Sequence, residues 1–235
     1  MVERSRAARL GLCLALAVLI AMPASAQMGG QGRRGSHESG PNQGDSDDST
    51  ARKALGAEEH DAIDLYSRLC VSTRGDRARV TGIIGEGDSA VEKMEPPVLR
   101  GLENGASGGV GWIIRMPLGE KLLMEFPPGG ACIVRAPRID PAQLEGAFQN
   151  LLDQYGASDQ FKVRRVGDET KTVDTDGRPV DSRAKTKDKL KYHFVLYKMT
   201  LPDTDNIAEL GLATTDSRSV SIQATLSFQV LPPKP

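Results

Sequence analysis

Apolar residues that recur every three or four positions predict two helices. The first covers Ala57 to Cys70 and has acidic residues near its start, where they complement the helix dipole. The second has a clear beginning and end: Asp140 fits the N-cap, Pro141 the first helical position and Gly156 the position after the last turn. Its apolar stripe consists of Leu144, Phe148, Leu151, Leu152 and Tyr155.

Apolar residues that alternate with polar ones predict strands, mainly in the second half of the chain. Short turns at 117–120 and 127–130 separate the first strands, and connections this short require antiparallel pairing. The sequence therefore predicts an α+β fold, with an antiparallel sheet of about five to six strands and helices packed on one face. The predicted strands are 110–116, 122–126, 131–136, 161–166, 191–201 and 220–230.

Three segments have weaker patterns. Residues 79–85 fit either a short strand or a buried turn. Residues 90–102 are predicted as a short helix that stops at Pro96 and Pro97, followed by one further turn. The polar stretch 167–189 is predicted as a long exposed connection or a ragged hairpin.

Residues 1–26 have the pattern of a cleaved signal peptide. Arginines precede an apolar run from Leu10 to Ala21, and Ala24-Ser25-Ala26 fits a small-residue cleavage site. The run is too short to span a bilayer, which takes about 20 residues, although an uncleaved anchor is the alternative. We expect cleavage after Ala26 and a periplasmic or secreted mature chain without a stable membrane span.

The mature chain is predicted to be one domain with disordered ends. Residues 27–56 are rich in small and polar residues and form a disordered linker. Residues 57–231 form the single α+β domain, and residues 232–235 form a disordered tail. The net charge of −1 provides no general attraction for nucleic acid, and no nucleic-acid partner is predicted.

Outside the signal peptide the cysteines are Cys70 and Cys132. In an oxidising compartment, two cysteines in apolar segments most simply form a disulfide, which is the prediction here. The alternative is that one of them is a free nucleophile or a metal ligand. We predict neither a metal site nor a cofactor, because scattered histidines offer no ligand cluster and the phosphate-binding Walker motif is absent.

Two arrangements suggest a small hydrolase, and both are incomplete. Gly87-Asp88-Ser89 resembles the nucleophile block of the lipase and esterase family with a Gly-Asp-Ser motif. That family's Asp-x-x-His is missing, because Leu190 stands three residues before His193. Cys132 could act with His60 or His193, but a reactive thiolate needs an accessible, electropositive setting. We therefore assign no catalytic residue.

Two further patterns have plain structural interpretations. Arg74-Gly75-Asp76 matches the adhesion tripeptide, and we interpret it as a turn. Arg164 and Arg165 are offset by acidic residues that follow them, which is typical of a solvated face and not of a nucleic-acid site.

Several features follow one another in a recognisable order: Leu69-Cys70 at a helix end, Trp112 in a strand, Gly129-Gly130-Ala131-Cys132 before a strand, and Asp140 before a helix. This order resembles an uncharacterised family of exported proteobacterial proteins, which has no established activity. The resemblance covers residues 57–230. It implies a periplasmic location and a bridge between Cys70 and Cys132, and it carries over no catalytic residue.

The sequence thus predicts a non-enzymatic binding or structural domain of the cell envelope, whose partner is an unknown envelope protein or ligand. The contact surface is expected on the polar face of the sheet or at the glycine-rich loop 105–111. One alternative is a small hydrolase that uses Ser89 or Cys132 as its nucleophile. Another is a small-molecule carrier, which needs an apolar cavity against the sheet.

Overall fold

The computed structural model describes residues 59–233 except 86–89, 104–107, 118, 174–179, 181–188, 203 and 205. The predicted signal peptide and linker lie outside the described residues. So do Ser89 of the hydrolase alternative and part of the glycine-rich loop 105–111.

An antiparallel sheet organises the described part of the chain, which confirms the α+β prediction. Its eight strands are β1 Val91–Lys93, β2 Val110–Arg115, β3 Lys121–Phe126, β4 Cys132–Ala136, β5 Lys162–Val173, β6 Leu190–Thr200, β7 Ile207–Thr214 and β8 Ala224–Val230. Their order in space is β1-β2-β3-β4-β8-β7-β6-β5. Two four-stranded meanders therefore meet at β4 and β8, and a 16-residue helix connects them between β4 and β5.

Four helices accompany the sheet within the described residues. Helix α1 covers 59–66 and continues into a π-helical turn, Ser67–Val71. The others are α2 Arg77–Ile84, α3 Pro96–Leu102 and α4 Pro141–Gly156. Helix α4 begins as predicted, because the Asp140 side chain accepts hydrogen bonds from the backbone N–H groups of Ala142 and Gln143. Gly156 is the last helical residue and not the residue after it.

The helices lie on both faces of the sheet, which corrects the prediction of helices on one face. Helices α1 and α4 cover the main core, where the rings of Tyr66 and Phe148 lie 6.1 Å apart. Successive strand residues belong to opposite faces, so Gly111 is on the face opposite the core residue Trp112. A Cβ atom at Gly111 would lie 3.0 Å from Leu99 Cδ1 of α3. Helix α3 therefore covers the second face.

Buried polar contacts hold α1 in place. The Tyr66 hydroxyl donates to the Ser227 carbonyl oxygen of β8 at 2.9 Å, and burial raises the pKa of Tyr66 well above its ordinary value. Glu59 is 2 % exposed and accepts the Asp140 N–H at 3.0 Å. Glu59 thereby joins the beginning of α1 to the beginning of α4.

The N-terminal segments differ from their predictions. Residues 79–85 belong mostly to α2 instead of a strand or a buried turn, because the Asp76 carboxylate accepts the Arg79 N–H and caps a helix. Residues 91–93 form β1 and not a helix. Pro96 begins α3, where its fixed φ angle and missing N–H suit the first turn, and does not stop a helix.

The second meander is longer than predicted, and the sheet has eight strands instead of five or six. Strand β5 continues to Val173 past a bulge between Arg165 and Gly167. Strand β7 was missed, because small residues make up much of its alternation and give a weak signal. Strand β8 begins at Ala224 and not at Val220, since residues 215–223 form a loop closed by the Thr215 N–H and the Gln223 carbonyl.

Candidate functional site

The predicted disulfide between Cys70 and Cys132 is present, with the two Cα atoms 5.5 Å apart. It joins the π-helical turn after α1 to β4, one of the two central strands of the sheet. Both cysteines are fully buried. The bond closes a loop of 62 residues, so it connects parts of the fold that are distant in sequence.

The disulfide removes one nucleophile from the hydrolase alternative. The Cys132 sulfur is bonded to Cys70 and is therefore not a thiolate. His60 is exposed on α1, and both ring nitrogens of His193 have carboxylate partners. The described residues therefore bring no histidine into a catalytic pair with Cys132, and Ser89 lies outside them.

His193 is held between two carboxylates at the surface of the core face. Its Nδ1 lies 2.8 Å from Glu145 Oε1 of α4, and its Nε2 lies 2.8 Å from Asp168 Oδ1 of β5. Thr214 of β7 donates to the same Glu145 oxygen, and Arg165 lies 2.6 Å from the second Asp168 oxygen. We call His193, Glu145 and Asp168 the His193 clamp. It connects α4, β5 and β6 at a place where each of the three side chains is about one third to one half exposed.

The geometry of the clamp favours the charged histidine. The hydrogen bond with Asp168, followed by the one with Glu145, raises the pKa of His193 above its ordinary value of about 6.5. The hydrogen bond with His193 lowers the pKa of Asp168 below its ordinary value of about 3.9. The histidine therefore stabilises the fold fully below about pH 6.5 and loses this effect as the pH rises through its raised pKa. The aspartate contributes above about pH 3.9 and loses its effect as the pH falls through its lowered pKa.

We expect His193→Gln to lower the melting temperature most between about pH 4 and pH 6.5, where both charges of the clamp are present. The difference from the wild type should shrink as the pH rises through the raised pKa of His193, because the histidine is then neutral in the wild type as well. Thermal unfolding across this pH range measures the effect. His60→Gln is the matched control, since His60 is exposed on α1. A difference between wild type and His193→Gln that does not change with pH would contradict the assignment.

A buried ion pair lies on the other face of the sheet, beneath α3. Arg135 of β4 donates from Nε to Glu125 Oε1 of β3 at 2.8 Å, and the two side chains are 1 % and 0 % exposed. Glu103 follows α3, and neither of its carboxylate oxygens has a hydrogen-bond partner among the described residues. Burial and the neighbouring Glu125 raise the pKa of Glu103. The cluster thus combines two carboxylates and one guanidinium in a setting that is shielded from water.

The second face of the sheet is not covered uniformly. Helix α3 covers Gly111 of the first meander, and at the start of β6 the residues Val173, Leu190 and Tyr192 form a second buried cluster. Between these two regions the second face of β6, β7 and β8 carries half-buried residues. We call the eight half-buried residues there the open face: Phe194, Leu196, Lys198, Glu209, Gly211, Ala213, Thr225 and Ser227. Leu196, Gly211 and Ser227 are neighbours across three strands at its centre. Lys198 and Glu209 form an ion pair of 3.2 Å at one side.

The Arg74-Gly75-Asp76 tripeptide is part of a structural turn, as interpreted from the sequence. Gly75 has φ +67°, and a Cβ atom there would lie 3.2 Å from the Phe228 ring. Arg74 donates to the Pro202 carbonyl, and Asp76 caps α2. All three residues are therefore used by the fold itself.

A shallow groove lies between the C-terminal half of α4 and strands β5 and β6. Its lining is mixed, with Gln149, Asp153, Val163 and Tyr197 among the residues. The Tyr197 hydroxyl donates to Gln149 across it. The groove is open to solvent, and it is therefore not the apolar cavity that the carrier alternative needs.

The chain matches no family model, no curated protein and no solved structure. Among the described residues, no three or more His, Cys, Asp or Glu side chains are grouped so that they could hold a metal ion. No helix in the described part of the chain is long and apolar enough to cross a membrane.

Sequence reasoning missed both charged clusters. The sequence does contain a signal for Glu125 and Arg135, because each is a charged residue inside an otherwise apolar strand. Both alternate with core residues and so lie on the face opposite the core. Glu145 and Asp168 gave no comparable signal. Each looks like an ordinary surface residue, and their contact with His193 depends on where α4 crosses the sheet.

Proposed function

We propose that the protein is an exported, non-enzymatic binding domain of the cell envelope, located in the periplasm or secreted. The signal-peptide pattern with cleavage after Ala26 supports export. The disulfide between Cys70 and Cys132 supports an oxidising compartment, where such bonds form and persist. The resemblance to exported proteobacterial proteins is compatible with the same location.

The observation that carries the binding role is the open face. Leu196 lies half-buried at its centre next to Ser227, whose side chain fills the space beside Gly211, and Phe194 packs against the Tyr192 ring at one end. The face extends over three adjacent strands, about 10 Å across at the usual strand spacing. A flat surface of mixed polarity fits a protein partner better than a small ligand, which needs a concave site.

Ser227→Arg tests this proposal, because it places a long charged side chain over Gly211 at the centre of the open face. Crosslinking in the periplasm of the producing cells should yield an adduct with an envelope protein for the wild type. We expect the variant to lose most of this adduct, by about tenfold or more, as hot-spot disruption does. Gln154→Arg adds the same charge on the exposed side of α4 and should keep the adduct.

Both variants should retain the melting temperature of the wild type, which separates loss of binding from loss of folding. The proposal fails if no adduct forms with crosslinkers of several lengths. It also fails if Ser227→Arg gives as much adduct as Gln154→Arg.

A further inference from the structure

We propose that a second copy of this chain pairs with β5, so that the two sheets join into one continuous antiparallel sheet. Strand β5 is the edge strand at one end of the sheet and is 12 residues long. Most of the segment 162–170 is exposed. An exposed edge strand presents unpaired backbone N–H and C=O groups, which can pair with another strand.

Hydrogen bonds in the structure show which β5 residues direct these groups outward. The Thr172 carbonyl accepts the N–H of Val180, which is not part of β6, so Thr172 faces away from β6. At the end of β6, the Leu201 N–H donates to the Asn206 carbonyl. Backbone groups of successive strand residues point to opposite neighbours, so the odd-numbered residues of β6 form their hydrogen bonds with β7. The even-numbered residues of β6 therefore form theirs with β5. Both observations agree. With the bulge included, the residues that face outward are Val163, Arg165, Asp168, Thr170 and Thr172.

These outward residues match one another in a single register. A twofold axis between Val166 and Gly167 places Arg165 opposite Asp168 of the second copy, and Val163 opposite Thr170 of the second copy. Every one of these four residues faces outward, so each pair can exchange backbone hydrogen bonds. Thr172 is not needed, since Val180 already occupies its carbonyl.

The side chains fit the same register because of the bulge. Arg165 and Asp168 lie on the α4 face, as shown by their partners Tyr197 and Val195. Without the extra residue of the bulge, Arg165 and Asp168 would lie on opposite faces of β5. The pairing would then place the α4 face of one copy next to the other face of the second copy. On the other face, Arg164 lies opposite Glu169 of the second copy, and the exposed Val166 lies beside Gly167, which has no side chain.

The order of charged residues along β5 distinguishes this strand from an edge strand whose charges prevent it from pairing with another copy. An edge strand guarded by charge usually carries Lys or another single sign, which repels its own copy. Here Arg164 and Arg165 precede Asp168 and Glu169, so an antiparallel copy brings opposite charges together. At each end Lys162 meets Lys171 of the second copy, but Lys171 is already bound to Glu169 of its own strand at 2.6 Å.

Helix α4 leaves room for the second copy. Gln149 of α4 contacts Tyr197 of β6, whereas Gly156 at the end of the helix lies against Val163 of β5, so α4 reaches the edge strand only at the Val163 end. In the proposed register Val163 lies opposite Thr170 of the second copy. The C-terminal ends of the two α4 helices would therefore lie at opposite ends of the paired strands.

Sedimentation velocity on wild type and charge-reversal variants tests this inference. The wild type should be a dimer, whereas Arg164→Glu and Glu169→Lys should each be at least about tenfold weaker in association, because each creates two like-charge pairs. An equimolar mixture of the two variants should recover the dimer, since both cross-strand pairs are then attractive. Arg68→Glu, on the exposed side of the turn after α1, should leave the dimer unchanged.

Neither test residue belongs to the His193 clamp or the core, so every variant should keep the cooperative unfolding transition of a folded domain. The inference is overturned if the wild type is monomeric at about 100 µM, a concentration at which weak interfaces associate. It is equally overturned if the mixture of variants stays monomeric. The outcome does not depend on the envelope partner proposed above, because purified protein is sufficient.

Discussion

Reduction of the disulfide between Cys70 and Cys132 is expected to lower the free energy of unfolding by about 4 kcal/mol. The bond closes a loop of 62 residues, so its loss gives the unfolded chain much more conformational freedom. It also releases the end of α1 from the centre of the sheet, where both cysteines are fully buried. For a domain of this size the melting temperature should fall by about 8–16 °C.

Thermal unfolding with and without a phosphine reductant measures this effect. The double variant Cys70→Ala/Cys132→Ala is the control, because it should melt at a low temperature that the reductant does not change further. A melting temperature that is the same for oxidised and reduced wild type would contradict the role given to the disulfide.

Arg135→Met is expected to cost about 3–5 kcal/mol, because it leaves the Glu125 carboxylate buried without its positive partner. Glu125 is fully buried, and its second oxygen has no hydrogen-bond partner among the described residues. The neighbouring Glu103 increases the penalty, since it adds a further carboxylate to the same shielded region.

Chemical denaturation of two further variants makes this test specific. Arg115→Met removes another cross-strand ion pair, the one with Glu92 at 2.9 Å, but that pair is more than half exposed and should be worth less than about 1 kcal/mol. The double variant Glu125→Leu/Arg135→Met should recover most of the lost stability, because no unpaired charge remains between β3 and β4. Equal costs for Arg135→Met and Arg115→Met would contradict the account of the buried cluster.

The parts of the fold that the sequence predicts well have local causes. Asp140 and Pro141 begin α4 through contacts within one turn, so their residue types alone identify the helix start. The central strands are predicted because large apolar residues alternate on one face against polar or small ones. The pairing of the two cysteines was predicted from their number and from an expected oxidising compartment, without knowledge of the fold.

The parts that escape prediction depend on distant residues. Strand β7 uses Ala208, Gly211 and Thr214, and such small residues become strand only because β6 and β8 pair on both sides. Helix α3 begins with two prolines, and its place on the second face is decided by Gly111, which leaves room for Leu99. The local pattern of apolar and polar residues shows neither the pairing of β7 nor the position of α3.

Of the candidate sites, too, one could be predicted from a local pattern and one could not. The open face was anticipated as the polar side of an alternating strand, since Thr225, Ser227 and Gln229 alternate with buried residues. The His193 clamp was not, because its three members come from α4, β5 and β6. A sequence can show that a histidine is present, but only the fold shows which carboxylates surround it.

The central claim is that the protein is exported, processed and then oxidised into a domain with α1 bonded to the middle of the sheet. Intact mass spectrometry tests it most directly, on the chain recovered from the periplasmic fraction of its own cells and alkylated without reductant. The account predicts a chain that begins at Gln27 and carries no alkyl group. A chain that retains residues 1–26, or one that takes up alkyl groups on Cys70 and Cys132, would contradict it.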